Sequence, residues 1–86
     1  MVQVEWSKRA VKQLQTIDTR YRKAIWNKVS QLETFPDVSL DLKKLEAPGK
    51  FYRLRVGDYR IIFEIIDGVP TVCKIQEVKR RTSQTY

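Results

Sequence analysis

Three arginines flank a short turn-forming pair in the second half of the chain: Arg53 and Arg55 precede Gly57-Asp58, and Arg60 follows it. If Gly57-Asp58 forms a two-residue hairpin turn, Arg55 pairs with Arg60 across the two strands. Because side chains alternate along a strand, all three arginines then share one sheet face. Like charges placed opposite each other cost about 0.2–1 kcal/mol, whereas guanidinium groups bind phosphate well. The spacing therefore favours an anion site over the alternative, an ordinary solvent-exposed face.

Basic residues recur near the C-terminus. Lys79-Arg80-Arg81 follows the last predicted strand, and Tyr86 lies five residues further on. An aromatic residue beside arginines can stack on a nucleobase above a phosphate clamp; the alternative is a solvated tail. We expect the excess positive charge to lie on the arginine face and this tail, and the basic residues of the helices to be ordinary solvent-facing charges.

The residue types that are missing narrow the possible chemistry. The 86 residues include 17 lysines and arginines, 10 aspartates and glutamates and no histidine, for a formal net charge of +7. Without histidine there is no imidazole base or metal ligand, and the single cysteine, Cys73, cannot form an internal disulfide or a zinc site. The carboxylates are scattered singly, so we predict no metal site and no cofactor. An enzyme built from this chain would work without a metal and without histidine.

The N-terminal half predicts one strand and two helices. Residues 2–6 alternate between apolar and polar types, which is typical of a half-buried strand. Ser7 is a good N-cap for a helix that runs to about Thr16, and Asp18 is a good N-cap for the next helix. The second helix should end at Phe35-Pro36, because proline disfavours a helical residue before it. The pattern predicts a helical hairpin.

The second half predicts a loop and three strands. Residues 36–50 are predicted as a loop, pinned to the core by apolar residues whose spacing also permits a short helical turn, namely Leu40, Leu42 and Leu45. The strands are predicted over 51–56, 59–66 and 69–78, with two-residue turns at Gly57-Asp58 and Asp67-Gly68. The core face of the hairpin would carry Tyr52, Leu54, Val56, Tyr59, Ile61, Phe63 and Ile65. The predicted fold is a single α+β domain over 1–86, with an N-terminal strand, a two-helix hairpin and a three-stranded antiparallel meander, the helices covering one sheet face.

The stretch 52–64, Tyr-Arg-Leu-Arg-Val-Gly-Asp-Tyr-Arg-Ile-Ile-Phe-Glu, resembles the signature of the RelE/ParE superfamily of toxins from toxin–antitoxin systems. The tail around Lys79-Arg80-Arg81 and Tyr86 resembles the RelE branch, and the order of elements is similar throughout the chain. The resemblance implies a RelE-like fold and an mRNA interferase that acts in the ribosomal A site. In such enzymes the 2′-OH of the RNA attacks the adjacent phosphate, so the first step requires neither metal nor water.

The resemblance also implies roles for individual residues. Arg53 and Arg55 would bind and activate the scissile phosphate, and Arg60 would stabilise charge in the transition state. Arg80 would assist the leaving 5′-oxygen, and Tyr86 would stack on the nucleotide or assist proton transfer. We expect further RNA contacts from Lys50, Lys79 and Arg81.

One departure from the RelE pattern affects the expected mechanism. RelE carries lysines where this chain has Arg53 and Arg55, and arginine cannot act as a general base at neutral pH. The two arginines would then act electrostatically, which leaves the base unassigned. Two alternatives stay open from the sequence: a ParE-like inhibitor of DNA gyrase without nuclease activity, and a non-catalytic RNA- or ribosome-binding module.

Partners and compartment follow from the same resemblance and from the composition. The family implies a cognate antitoxin, whose acidic or amphipathic segment would cover the basic face in a toxin–antitoxin hetero-oligomer. The first residues lack the basic opening and long apolar run of a signal peptide, and the longest apolar run is too short to span a bilayer. We therefore expect a cytoplasmic prokaryotic protein that does not contact membranes.

Overall fold

The computed structural model describes residues 2–46 and 48–80. These residues form two α-helices, one 3-10 helix and five strands, in this order: β1 (Gln3–Trp6), α1 (Lys8–Gln15), α2 (Thr19–Ser30), the 3-10 helix (Gln31–Thr34), β2 (Leu42–Lys44), β3 (Phe51–Val56), β4 (Tyr59–Ile66) and β5 (Val72–Arg80). The predicted α+β class is confirmed. Within the described ranges, neither helix is long and apolar enough to cross a membrane.

Both predicted helix caps are present. The Ser7 hydroxyl accepts a hydrogen bond from the Ala10 amide, and the Asp18 carboxylate accepts one from the Arg20 amide. These bonds satisfy amides in the first turns that have no partner within the helix. Helical structure beyond α2 tightens into the 3-10 helix and stops before Phe35-Pro36, as predicted.

The five strands form one mixed sheet in the order β1-β5-β4-β3-β2. β1 runs parallel to β5, and the other neighbours are antiparallel. The helices pack on one face, where Ala10, Leu14 and Ile25 join a buried cluster with Leu54 and Phe63 of the sheet. No helix of residues 2–46 or 48–80 packs on the opposite face, where the side chains of Arg55, Arg60 and Lys79 are exposed.

The prediction of an uninterrupted loop over 36–50 is wrong, because Leu42–Lys44 forms β2 at the sheet edge. Lys43 lies opposite Arg53, and Leu42 opposite Leu54. Three residues, two of them lysines, are too few to produce a recognisable hydrophobic period. The strand exists because the exposed edge of β3 offers backbone groups to pair with.

The predicted two-residue turn at Asp67-Gly68 is also wrong. Ile66 pairs with Val72, so residues 67–71 all lie in the connection between β4 and β5. Val69, predicted to begin the strand, is fully exposed, and Pro70 has no amide hydrogen to contribute to a ladder. The strand therefore begins later than predicted, and it continues to Arg80.

Candidate functional site

Three basic side chains form a row across the helix-free face of the sheet. Arg55 on β3 lies directly opposite Arg60 on β4, and Arg60 lies directly opposite Lys79 on β5. Neighbouring positions of this kind have Cβ atoms about 4.5–5.5 Å apart. All three residues are exposed. We call Arg55, Arg60 and Lys79 the cation row.

The β3–β4 hairpin fixes the register of the row. Val56 pairs with Tyr59 across Gly57-Asp58, which confirms the predicted two-residue turn. Gly57 has φ +57°, and a positive φ at the first central position alone is typical of a type II′ turn. On the other side of the sheet, Leu54 and Ile61 are fully buried, so a one-residue slip would expose the core. The turn and the core together hold Arg55 against Arg60.

The two arginines of the row form no ion pair with another described residue. Within residues 2–46 and 48–80, neither Arg55 nor Arg60 forms an ion pair with a carboxylate. Lys79 differs, because its Nζ lies 3.3 Å from Oε1 of Glu77. Two adjacent, exposed guanidinium groups present several N–H donors in planar forks. This arrangement suits a phosphate, which would neutralise the repulsion between them.

Arg53 shares the face of the row, as predicted, but its guanidinium group is held by a carboxylate. It lies opposite Ile62 and two residues before Arg55 on β3, so the two side chains share a face. Its Nη2 atom is 3.2 Å from Oδ1 of Asp41, and only 22% of the side chain is exposed. The pairing of Asp41 with Arg53 was not predicted from the sequence, because a contact between a loop and a strand produces no periodic pattern. Arg53 is thus a supporting cation beside the row.

Arg80 lies on the other face of the sheet. It is directly opposite Tyr59, a residue that packs against the core, and it lines a pocket of about 250 Å³ with Tyr21 and the Gly57-Asp58 turn. The rings of Tyr21 and Tyr59 are 5.9 Å apart. The structure therefore separates Arg80 from the cation row by the thickness of the sheet, although both lie at its hairpin end.

Lys50, another predicted site residue, does not join the row. Lys50 precedes β3, at the opposite end of that strand from Arg55, and its Nζ is 2.7 Å from Oδ2 of Asp67. The hydrogen bond to Asp67 and the charge of that carboxylate raise the pKa of Lys50. Arg81 and Tyr86 lie outside the described residues.

A family model described as the ParE toxin of type II toxin-antitoxin system, parDE, matches residues 4–84. The chain belongs to this family. It is also 33% identical over 67 residues to Toxin RelE3 of Methanocaldococcus jannaschii, a match that covers 74% of this chain and 76% of that protein. The protein is therefore a type II toxin, and the resemblance to the RelE/ParE superfamily is confirmed.

Solved structures share the fold of the toxin. A chain of the archaeal RelE–RelB complex from Pyrococcus horikoshii OT3 superposes with a TM-score of 0.78 at 31% identity, covering 96% of this chain and 98% of that one. The isolated Escherichia coli RelE toxin gives a TM-score of 0.80 at 17% identity, covering 98% and 88%. The similarity to the latter shows the fold alone. The RelE-like fold predicted from the sequence is confirmed.

Proposed function

We propose that this toxin is an endoribonuclease that cleaves messenger RNA on the ribosome, without a metal, by attack of the 2′-OH on the adjacent phosphate. The cation row is the observation that supports this reaction class. Arg55 and Arg60 stand opposite each other with no carboxylate partner in the described part of the chain. A pentacovalent phosphate carries more negative charge than the ground state, so paired guanidinium groups stabilise it preferentially.

In this proposal the basic residues have different roles. Arg55 and Arg60 would bind the non-bridging oxygens of the scissile phosphate and stabilise the charge that develops there. Arg53, whose Nη2 bonds to Oδ1 of Asp41, would add positive potential beside the phosphate. None of these groups can accept the proton of the 2′-OH at neutral pH, so their contribution is electrostatic, and Tyr86 is the candidate for stacking or proton transfer.

The position of Arg80 sets a condition on the path of the RNA. Arg80 lies beside Tyr59 on the helix side of the sheet, whereas Arg60 faces the opposite side. The leaving 5′-oxygen is bonded to the scissile phosphorus, so it lies beside the phosphate on the cation row. Arg80 would have to extend its side chain round the end of the sheet at Gly57-Asp58 to stabilise this oxygen, and the next nucleotide would then lie near the pocket beside Tyr21.

A cognate antitoxin is part of the proposal. The solved relatives from Pyrococcus horikoshii and Mycobacterium tuberculosis are toxin–antitoxin complexes, the latter with a TM-score of 0.76 at 24% identity and covering 93% of this chain and 98% of that one. We infer that this toxin likewise forms a hetero-oligomer with an acidic antitoxin in the cytoplasm of a prokaryote.

Primer extension on a translated message, with and without ribosomes, tests the reaction. Wild-type toxin should cut within codons only when ribosomes are present, and Arg60→Ala should cleave about 100–1,000-fold more slowly. Lys74→Ala is a matched control, because Lys74 lies opposite Glu64, well away from the row. Unchanged cleavage by Arg60→Ala would disprove the site assignment. Unchanged cleavage by Arg80→Ala would disprove only the proposed role of Arg80 at the leaving 5′-oxygen and would leave the assignment of the cation row intact.

A gyrase inhibitor is the second candidate, and the ParE description of the matching family model favours it. A supercoiling assay with purified gyrase separates the two. Inhibition of supercoiling with intact messenger RNA would replace the nuclease proposal. RNA that is bound with a steep salt dependence but never cut would instead indicate a non-catalytic RNA-binding module.

A further inference from the structure

A carboxylate lies on the helix-free face directly beside the cation row. Glu77 on β5 is opposite Ile62, and Ile62 points away from the core because its two neighbours along β4 are fully buried. Glu77 comes two residues before Lys79, so it is the diagonal neighbour of Arg60. Diagonal neighbours in a sheet are about 7–8 Å apart. A ligand held on the row would therefore lie next to this carboxylate.

Two cations hold the carboxylate of Glu77 in place. Its Oε1 atom lies 3.3 Å from Nζ of Lys79 and 3.7 Å from Nη2 of Arg9 on α1. Both distances are longer than the about 2.7–2.9 Å of a charge-assisted hydrogen bond. Only 21% of the Glu77 side chain is exposed, although both of its partners are well exposed. The carboxylate is thus oriented and keeps the capacity to accept a further hydrogen bond.

Arg9 belongs to a helical hairpin that carries most of the excess positive charge. Residues 7–30 contain seven lysines and arginines and one acidic residue, Asp18, so this segment carries six of the seven excess charges. The expectation that the excess lies on the arginine face and the tail is therefore wrong, because acidic residues largely balance the basic ones in the rest of the chain. The positive potential of the hairpin offsets the repulsion between Glu77 and an anionic substrate.

We propose that Glu77 is the general base of the cleavage reaction, the group that takes the proton from the attacking 2′-OH. This inference rests on the proposed function, in which Arg55 and Arg60 hold the scissile phosphate. Those guanidinium groups cannot accept a proton at neutral pH, whereas an ionised carboxylate is an acceptor. The 2′-OH is separated from the scissile phosphorus only by two ribose carbons and the 3′-oxygen. It therefore lies beside the row, where a general base must be within hydrogen-bond reach.

In the proposed step the proton of the 2′-OH passes to a carboxylate oxygen of Glu77 as the 2′-oxygen bonds to phosphorus. The bond between phosphorus and the 5′-oxygen breaks, and the 5′-oxygen takes a proton from solvent. Glu77 then releases its proton to solvent, so no net proton is consumed. The products are one RNA fragment with a 2′,3′-cyclic phosphate and one with a 5′-hydroxyl. This assignment leaves stacking on the nucleotide to Tyr86.

Two other carboxylates on this side of the sheet are less well placed. Asp41 lies in the loop before β2, its side chain is 57% exposed, and its Oδ1 is bonded to Arg53. Glu64 lies four residues after Arg60 on β4, and its Oε1 accepts a hydrogen bond from Gln76. Glu77 is nearer to the row than Glu64, and it is held on a strand and less exposed than Asp41. A positioned base on a rigid element is what proton transfer requires.

Single-turnover cleavage of messenger RNA on programmed ribosomes, with saturating toxin, tests the assignment. Glu77→Gln should slow cleavage about 100–10,000-fold, while its binding to the programmed ribosome stays close to that of the wild type. Glu64→Gln is the matched control, because it makes the same change on the same face beyond the row, and it should cleave normally. Asp41→Asn tests the competing carboxylate. Circular dichroism of each variant checks that the fold is retained.

Chemical rescue separates a base from a residue that only positions Lys79. Formate is a carboxylate small enough to occupy the space that Glu77→Ala opens beside the row. It should accelerate cleavage by Glu77→Ala several-fold relative to chloride at equal ionic strength. Glu77→Gln, whose side chain still fills that space, should not respond, and neither should Arg60→Ala, which keeps its own base.

The outcomes separate this inference from the nuclease proposal. Normal cleavage by Glu77→Gln together with slow cleavage by Arg60→Ala would overturn the base assignment and leave the cation row intact. A loss in Asp41→Asn without one in Glu77→Gln, or a failure of formate to rescue Glu77→Ala, would also overturn it. Normal cleavage by Arg60→Ala would instead disprove the site of the proposed function.

Discussion

Arg55 and Arg60 stand directly opposite each other on adjacent strands, beside a two-residue turn and above a fully buried pair, Leu54 and Ile61. The core on one face and the turn at the end both enforce this juxtaposition, although the charges oppose it. A sheet gains no stability from two opposed arginines. We propose that this arrangement serves an anionic ligand rather than the stability of the sheet.

Replacing Arg60 with threonine should therefore separate stability from activity. Arg60→Thr removes the repulsion from Arg55 and introduces a residue that favours strands, so we expect the free energy of unfolding to rise by up to about 1 kcal/mol. Cleavage should fall about 100–1,000-fold. Urea unfolding and primer extension measure the two effects, and a variant that loses both stability and activity would contradict this account.

Gly57 should be sensitive to any side chain. Its φ of +57° is strained for other residues, whereas an added Cβ would meet no atom within 4 Å. We expect Gly57→Ala to lower the free energy of unfolding by about 1–2 kcal/mol through backbone strain alone. Because the turn holds Arg55 opposite Arg60, cleavage should fall as well. Asp58→Ala, the neighbouring control without a positive φ, should unfold like the wild type.

The side chain of Gln13 accepts a hydrogen bond from β5 beyond the end of its pairing with β1. Its Oε1 accepts a hydrogen bond of 2.7 Å from the Val78 amide, at a position past the end of the β1 ladder, which stops at Ile75. Gln13→Ala should leave this partly buried amide without a partner and cost about 1–3 kcal/mol. Gln15→Ala, on the same helix and exposed, is the control. Equal urea midpoints for the two variants would show that the bond contributes nothing.

Cys73 should make stability depend on pH in the alkaline range. Burial raises the pKa of its thiol from 9.0 to about 12, so the folded state resists ionisation that the unfolded state undergoes. The stability due to the neutral thiol is complete below pH 9 and is lost as the pH rises towards 12. Relative to Cys73→Ala, the wild type should lose up to about 1.4 kcal/mol per pH unit above pH 9. A constant difference between the two proteins from pH 8 to pH 10.5 would contradict this.

Much of the fold could be predicted because its signals are local. The helix caps at Ser7 and Asp18, the stop before Pro36 and the turn at Gly57-Asp58 each depend on a few neighbouring residues. The turn length and the alternation of the strands together gave the register of Arg55 against Arg60. Features with weak local signals were missed, notably β2, which forms because β3 offers a free edge.

The candidate site divides in the same way. The sequence by itself determined that Arg53, Arg55 and Arg60 share a face, since alternation and a two-residue turn leave no other arrangement. Only the tertiary structure decided that Asp41 holds Arg53, that Lys79 extends the row and that Arg80 lies on the opposite face. It also stacked Trp26 on Trp6, across 20 residues of sequence. These relationships depend on which strands and helices become neighbours. Burial of the whole core determines that arrangement, and no short stretch of residues determines it alone.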